Sequence, residues 1–382
     1  MRELTLFVSA TGGLGGPSRS LATVLEHVES GGRVLAAPEG GFSGLVRTRH
    51  LCEEEVRILE GDRPQRGSTL RSMVRLAAWC WRRRRQLTAI HANGLAELNL
   101  SGPAAILSRT PIVVWVHTSD PSAWARRLAP VWRRLLPGIR WAAVSPISRD
   151  VLVDIGSCDA DAVSIIPNPV DPRDVEASPG TPSDVPTVGF IGPATAHKGF
   201  DLLPEIARRL SDLALPWVVF VPAASAMAVV KSPEYRALRE AVGGRIDLRP
   251  WVGDVRDVYA ACDLLLCPSR KESFSRVAAE AMVNGLPIVA SDLAAFRELL
   301  GDDEAGLLFP AEDVEDAARA LRRLAADPSL RFRLGERGRM RARAFAPDAV
   351  MQRLAPLLHV SPAVPSLVPS GSVDPERPRT GA

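Results

Sequence analysis

The chain has 382 residues, about two to three times the length of one domain, so two domains are expected. Apolar residues make up 46% and charged residues 24%, which excludes collagen, a disulfide scaffold and general disorder. The net charge of +3 conceals an uneven split, because residues 63–149 hold 15 arginines against only Glu97 and Asp120. Such a stretch fits either an anionic partner or an arginine-rich face that meets only water.

No run reaches the roughly 18 uncharged apolar residues that a membrane span requires. The N-terminus carries Glu3 and runs into a glycine loop, so a secretory signal is not expected. The five cysteines (Cys52, Cys80, Cys158, Cys262, Cys267) are odd in number and lack CxxC spacing. They read as reduced thiols in the cytoplasm.

In chain order, LTLFVSA (4–10) reads as a buried strand ending at glycines, and SLATVLEHVES (20–30) follows at helical spacing. RVLAAP, TAIHA, PIVVWVH and WAAVS are further strands, most followed by polar or helical sequence. The Pro-, Asp- and Ser-rich segment 171–186 reads as a linker. After it the pattern restarts with TVGFIG, a helix from Asp201, PWVVFVP, RIDLRP, DLLLCPS and LPIVASD. This βαβ alternation predicts an α/β protein of two Rossmann-like, doubly wound parallel-sheet domains facing a cleft. The expected division is 1–175, 176–346, a helix at 347–360 packing back on the first domain, and a disordered tail at 361–382.

Ligands of such sheets bind at loops beyond the carboxyl ends of strands. Four loops stand out. Gly12-Gly13-Leu14-Gly15-Gly16 lets backbone approach a ligand at a helix start, but fits neither GxGxxG nor a Walker loop. It reads as a phosphate cradle or a tight structural turn. Lys198 is one of three lysines in the chain, and it lies just before a helix whose expected N-cap is Asp201. There it could meet a diphosphate or only solvent. The stretch DLLLCPSRKESFSRVAAEAMVNGLPIVASD (263–292) sets Glu272 in a loop and Glu280 inside the following helix. Carboxylates so placed can accept hydrogen bonds from sugar hydroxyls, and the N–H groups of Phe274 and Ser275 lie at the helix start. His117 ends the strand PIVVWVH, where it could bond a hydroxyl or phosphate or simply cap the strand. His91 has the same geometry with a stronger structural reading. Acid pairs such as Asp159/Asp161 lie in polar turns, and no metal site is expected.

With these residues in place, the chain resembles the retaining glycosyltransferases of family four, which have the GT-B fold. PSRKESFSRVAAEAM resembles PSxxEGFGxxxxEAM, the E-x7-E motif. LPIVASD, Glu298 and AGLLFP resemble the segment that follows it, and VSPISRDVLVDIG with VSIIPNPVD resembles the end of the first domain. The resemblance implies that Glu280 holds the nucleotide ribose and Glu272 the donor-sugar hydroxyls. It implies that Ser273, Phe274 and Ser275 border the donor, and that Lys198 with Gly15 and Gly16 meets the diphosphate. His117 would sit beside the reacting sugar. His117, Glu272 and Lys198 are thus the catalytic candidates. Pro193 stands where the family has an arginine, and Ser273 and Ser275 stand for the glycines of EGFG.

The implied activity is metal-independent transfer, with retention, from a nucleotide-diphosphate sugar and with no cofactor. The expected acceptor, read from the arginine- and tryptophan-bearing stretches below, is a lipid-linked or cell-envelope glycan. Alternatives are a soluble aglycone acceptor, or a nucleotide-sugar epimerase or hydrolase on the same fold. No nucleic-acid partner is expected. Residues 69–87 and 122–138 combine Arg82, Arg83, Arg84 and Arg85 with Trp79, Trp81, Trp124 and Trp132. Arginine beside tryptophan suits an anionic membrane surface, here the inner face of the plasma membrane. Inward-packed tryptophans under solvated arginines are the other reading.

Overall fold

The computed structural model describes residues 3–28, 31–57, 68–177, 185–251, 255–302 and 304–359. The expected tail at 361–382 lies outside these residues. The first sheet contains β1 (Leu4–Val8), β2 (Gly32–Ala37), β3 (Glu54–Arg57), β4 (Leu87–Ala92), β5 (Ile112–Val116), β6 (Arg140–Ala143) and β7 (Val163–Ile165). The second contains β8 (Val188–Ile191), β9 (Trp217–Pro222), β10 (Ile246–Trp251), β11 (Leu264–Cys267), β12 (Ile288–Ser291) and β13 (Gly306–Phe309).

All pairings are parallel, in the orders β3-β2-β1-β4-β5-β6-β7 and β10-β9-β8-β11-β12-β13. Central strands such as β1, β5, β8 and β11 are buried along their whole length, as a sheet covered on both faces requires. Both sheets therefore share the doubly wound order, with switch points between β1 and β4 and between β8 and β11. Four loops meet at those points: the two glycine-bearing loops after β1 and β8, and those after β4 and β11. The fold brings the candidate residues to one cleft.

Two local expectations change. Strand β3, with its glutamates, was not legible because it is a half-buried edge strand without an apolar run. Asp201 does not cap a helix. It lies in a 3-10 turn, Phe200–Leu202, and the helix Leu203–Arg208 starts beyond it, with Pro204 in its first turn. The Asp201 carboxylate instead receives both Nη groups of Arg270 at 2.8 Å, joining the β8 and β11 loops. The helix Pro347–Leu358 buries Val350, Met351, Leu354 and Leu358 in a core that also contains Phe7 and Trp115 of the first domain. Arg140 at the start of β6 donates to the Leu357 carbonyl.

Candidate active site

A cavity of about 620 Å³ lies between the domains, within the size range of small-ligand pockets. Gly15, Gly16, Lys198, Glu272, Phe274 and Glu280 all line it, and so do His117, Ser273 and Ser275. The sequence candidates for donor and sugar thus converge from four loops, those after β1, β5, β8 and β11.

Lys198 closes a 3-10 turn, Ala196–Lys198, and Gly199 follows with φ +70°. A Cβ on Gly199 would lie 1.9 Å from the Pro268 carbonyl oxygen, so only glycine lets the two loops touch. That contact sets Lys198 Nζ 2.5 Å from Glu272 Oε1, which also accepts from Ser269 Oγ at 3.2 Å. Lysine and glutamate form one charge-paired unit at the cavity wall.

Gly15 caps the helix Gly16–His27 with an ordinary φ of −80°. A Cβ on Gly16 would meet nothing within 4 Å, and one on Gly15 only the edge of Pro17. Neither backbone angle nor packing therefore demands these glycines. Their open side faces the cavity, which suits backbone that a ligand must approach closely. Ser275 shows the reverse. It precedes the helix Arg276–Val283 at φ +60° and ψ 79°, a left-handed region costing non-glycine residues roughly 1 kcal/mol. The family motif's glycine fits that angle without cost; serine holds it under strain.

Phe274 turns its ring edge-on to Phe345, 5.4 Å between centroids, so it offers the cavity its backbone. Glu280, one turn into the helix, is 1% exposed. Its Oε2 accepts from the Tyr259 hydroxyl and its Oε1 from Arg276 Nε, each at 2.6 Å. Burial and the carboxylate together raise the Tyr259 hydroxyl pKa well above its ordinary value. Arg276 also donates through Nη1 to Ser20 Oγ at 3.1 Å and to the Pro169 carbonyl at 3.0 Å. One guanidinium thus joins the second domain's helix to the first domain and to the interdomain connection. Sequence reasoning missed Tyr259 and Arg276. The signal was present: Arg276 stands four residues before Glu280 on a helix, the spacing of an ion pair.

His117 is flanked by two asparagines that sequence reasoning also missed. Nε2 lies 3.0 Å from Asn93 Oδ1 and Nδ1 lies 2.8 Å from Asn168 Oδ1. Asn93 Nδ2 donates to the Pro17 carbonyl at 3.2 Å, which turns the Asn93 oxygen toward Nε2. Burial lowers the His117 pKa to about 3, so the ring is neutral and carries its proton on Nε2. Nδ1 can then accept from Asn168 only with that amide turned to present its nitrogen in place of Oδ1. Both ring nitrogens are engaged, which ties the loops after β1, β4 and β5 to the connection after β7. His91 lies behind, fully buried between Phe7 and Trp115 with neither ring nitrogen bonded, and burial lowers its pKa to about 4. It is a packing residue.

The basic surface divides. Trp132 points inward at 8% exposure, with Nε1 donating to Asn99 Oδ1 at 2.6 Å and its ring against Gly102, so it is no surface contact. Trp79 donates to Glu54 in the same inward manner, and Arg83 pairs with Glu54 at 3.2 Å. Trp81 and Trp124 remain exposed at 45% and 65%, and Leu70, Val74 and Leu135 of the same two helices are exposed as well. Arg82, Arg84 and Arg85 are exposed as well, and Arg84 stacks on Trp81 at 4.1 Å. Among the described residues, no helix is long and apolar enough to cross a membrane.

Two doubly wound domains with a phosphate-suited loop, a lysine and two carboxylates in the cleft define a sugar-transferring enzyme of the GT-B fold. Two family models match consecutive stretches: "Glycosyltransferase Family 4" over 28–174 and "Glycosyl transferases group 1" over 173–341. The chain belongs to this glycosyltransferase family. It is 26% identical to the D-inositol 3-phosphate glycosyltransferase of Streptomyces bingchenggensis, over 91% of this chain and 78% of that one. It is 28% identical to the phosphatidyl-myo-inositol mannosyltransferase of Mycolicibacterium smegmatis, over 80% of this chain and 74% of that one. HepE of Anabaena, crystallised with UDP and glucose, shares the fold at TM-score 0.77 and 19% identity, covering 94% and 99% of the two chains.

Proposed function

We propose that this enzyme is a retaining, metal-independent hexosyltransferase that takes its sugar from a nucleoside-diphosphate donor. The observation that carries this reading is the joining in one cavity of the Lys198–Glu272 pair, buried Glu280 and the open Gly15-Gly16 backbone. Glu280 holds the ribose, Glu272 the sugar hydroxyls, and Lys198 with the glycine loop the diphosphate. Ser273, Phe274 and Ser275 border the donor with backbone groups. The UDP and glucose bound by HepE support a donor of this class.

In this arrangement the sugar–phosphate bond breaks with its electron pair leaving on the diphosphate, and the acceptor oxygen bonds the same carbon. The charge that grows on the leaving phosphate is met by Lys198 and backbone N–H groups. Holding both substrates between two domains supplies further acceleration, in ideal cases about 7–11 kcal/mol. His117, neutral and fully bonded, lies beside the sugar as a shape-giving wall, so the acceptor proton passes to the leaving phosphate.

Thermal melts with UDP, GDP, dTDP, NAD and free sugars test the donor class. Stabilisation by one nucleoside diphosphate is expected; stabilisation by NAD alone would overturn the reading. Transfer is expected to keep the anomeric configuration in excess chelator. Proton NMR of the product linkage decides this, and an inverted linkage or loss of activity on chelation sinks it.

The acceptor we assign is lipid-linked or membrane-proximal, reached from the cytoplasmic leaflet. The exposed Trp81 and Trp124 with Arg82, Arg84 and Arg85 support it, and so does the phosphatidyl-myo-inositol acceptor named for one relative. Basic residues at such a surface contribute about 1 kcal/mol each. Co-sedimentation is expected to need anionic vesicles, weaken with salt and fall when Arg82 to Arg85 become serine. Equal recovery on neutral vesicles would favour a soluble acceptor, such as a small aglycone or the inositol phosphate named for the other relative.

A further inference from the structure

A second cavity of about 370 Å³ lies beside the first, also between the domains. Five of its twelve lining residues are arginines (Arg19, Arg49, Arg173, Arg256 and Arg276), and its one acid is Asp174. Lysine and arginine together are 47 of 382 residues, so this wall is far richer in cations than the chain at large. Arg19 and Arg49 come from the first domain, Arg173 from the connection, and Arg256 and Arg276 from the second.

The acids that orient these arginines lie mostly outside the wall. Arg49 bonds Glu26 at 2.8 Å and Asp174 at 3.2 Å, Arg173 bonds Asp171 at 2.6 Å, and Arg276 bonds Glu280 at 2.6 Å. Each guanidinium carries five N–H groups in a fixed plane, and these pairs use only part of them. Glu26, His27 and Asp171 bring ligand atoms within 4.8 Å of one another, the spacing of a cation site. Arg49 and Arg173 bond into that same group, however, so its carboxylates are already paired with guanidinia.

We propose that this cavity is an anion site for a small molecule bearing a phosphate or diphosphate group, separate from the donor diphosphate position. Planar guanidinia match phosphate oxygens two at a time, which a wall of arginines can do from several sides. His117 and Glu272, at the sugar end of the donor cavity, do not line this one, whereas Arg19 and Arg276 line both. An occupant therefore lies away from the wall that the donor reading gives to the transferred sugar. Because its walls belong to both domains, the bound anion holds the domains at their present angle. The site is defined by its own residues and stands whether or not the donor assignments hold.

Calorimetric titration of the full chain with inorganic pyrophosphate, alone and in saturating UDP, tests it. Arg256→Gln and Arg49→Gln probe the wall at exposed positions, and Lys198→Ala probes the donor site. The expected result is a pyrophosphate site that persists in UDP, weakens about tenfold or more in either wall variant and is unchanged by Lys198→Ala. No binding, binding abolished by UDP or Lys198→Ala, or unchanged affinity in both wall variants overturns the proposal. Failure of the donor reading shows separately, as absence of any UDP heat.

Discussion

Replacing Lys198 by alanine is expected to lower turnover roughly 10²-fold or more at saturating donor, in a protein that melts near the wild-type temperature. That factor corresponds to about 2.7 kcal/mol of lost transition-state stabilisation. The size follows from what surrounds the lysine. The family's second cation is missing at Pro193, which lines the same cavity as an apolar wall. Arg19 and Arg276 also line that cavity, but Arg276 already spends Nε and Nη1 on Glu280, Ser20 and Pro169. Lys198 itself is held by Glu272 at 2.5 Å, so its charge is placed before any donor arrives and little reorganisation is needed. Removing it also leaves Glu272 a carboxylate with Ser269 as its partner among the described residues. Lys198→Arg separates the effects: the charge survives but the compact ammonium does not, so partial recovery is expected. A fall below fivefold in the alanine variant would mean that backbone N–H groups alone carry the leaving group.

The sheets were legible because their central strands are apolar runs bounded by glycine or proline, and their alternation with helical spacing permits little else. The same logic placed the loops after β1, β5, β8 and β11 at one cleft, because strand ends of a doubly wound sheet converge. Strand β3 stayed hidden behind three consecutive glutamates, for an edge strand need not bury both faces. Asp201 was misread because a short acid before an apolar helix looks like a cap; only the fold reveals that Arg270 takes it from 69 residues away. Trp132 misled for a related reason. Its helix alternates arginine with tryptophan, and periodicity cannot tell which of two faces meets a core when both carry large rings. Asn93, Asn168 and Tyr259 carry no spacing signal at all, since two come from separate loops and one from the helix Val255–Ala260, and they act only by meeting His117 and Glu280.

Glu280 yields the second large effect, and the structure alters the variant that should report it. Each oxygen of Glu280 already accepts a 2.6 Å hydrogen bond, from Tyr259 and from Arg276. A carboxylate has about four lone-pair positions, so ribose hydroxyls can add to this pair without displacing it. Glu280→Ala removes the ribose contact but also strips the half-buried Arg276 of its carboxylate, and breaking such pairs costs up to about 3–5 kcal/mol of stability when both groups are buried. Its loss of nucleotide affinity would therefore mix binding with a loosened domain contact. Glu280→Gln keeps volume and one acceptor oxygen, and its nitrogen would face either Tyr259 or the guanidinium of Arg276. Nucleotide affinity in this variant is expected to fall by about 1.5–3 kcal/mol, the worth of a charged hydrogen bond. The discriminating measurement compares a ribonucleotide with its 2′,3′-dideoxy analogue by calorimetry. Wild type should prefer the ribonucleotide strongly, and the glutamine variant should bind the two almost alike. If the preference survives in a folded Glu280→Gln protein, the buried carboxylate serves Arg276 and the domain junction, and the ribose is held elsewhere.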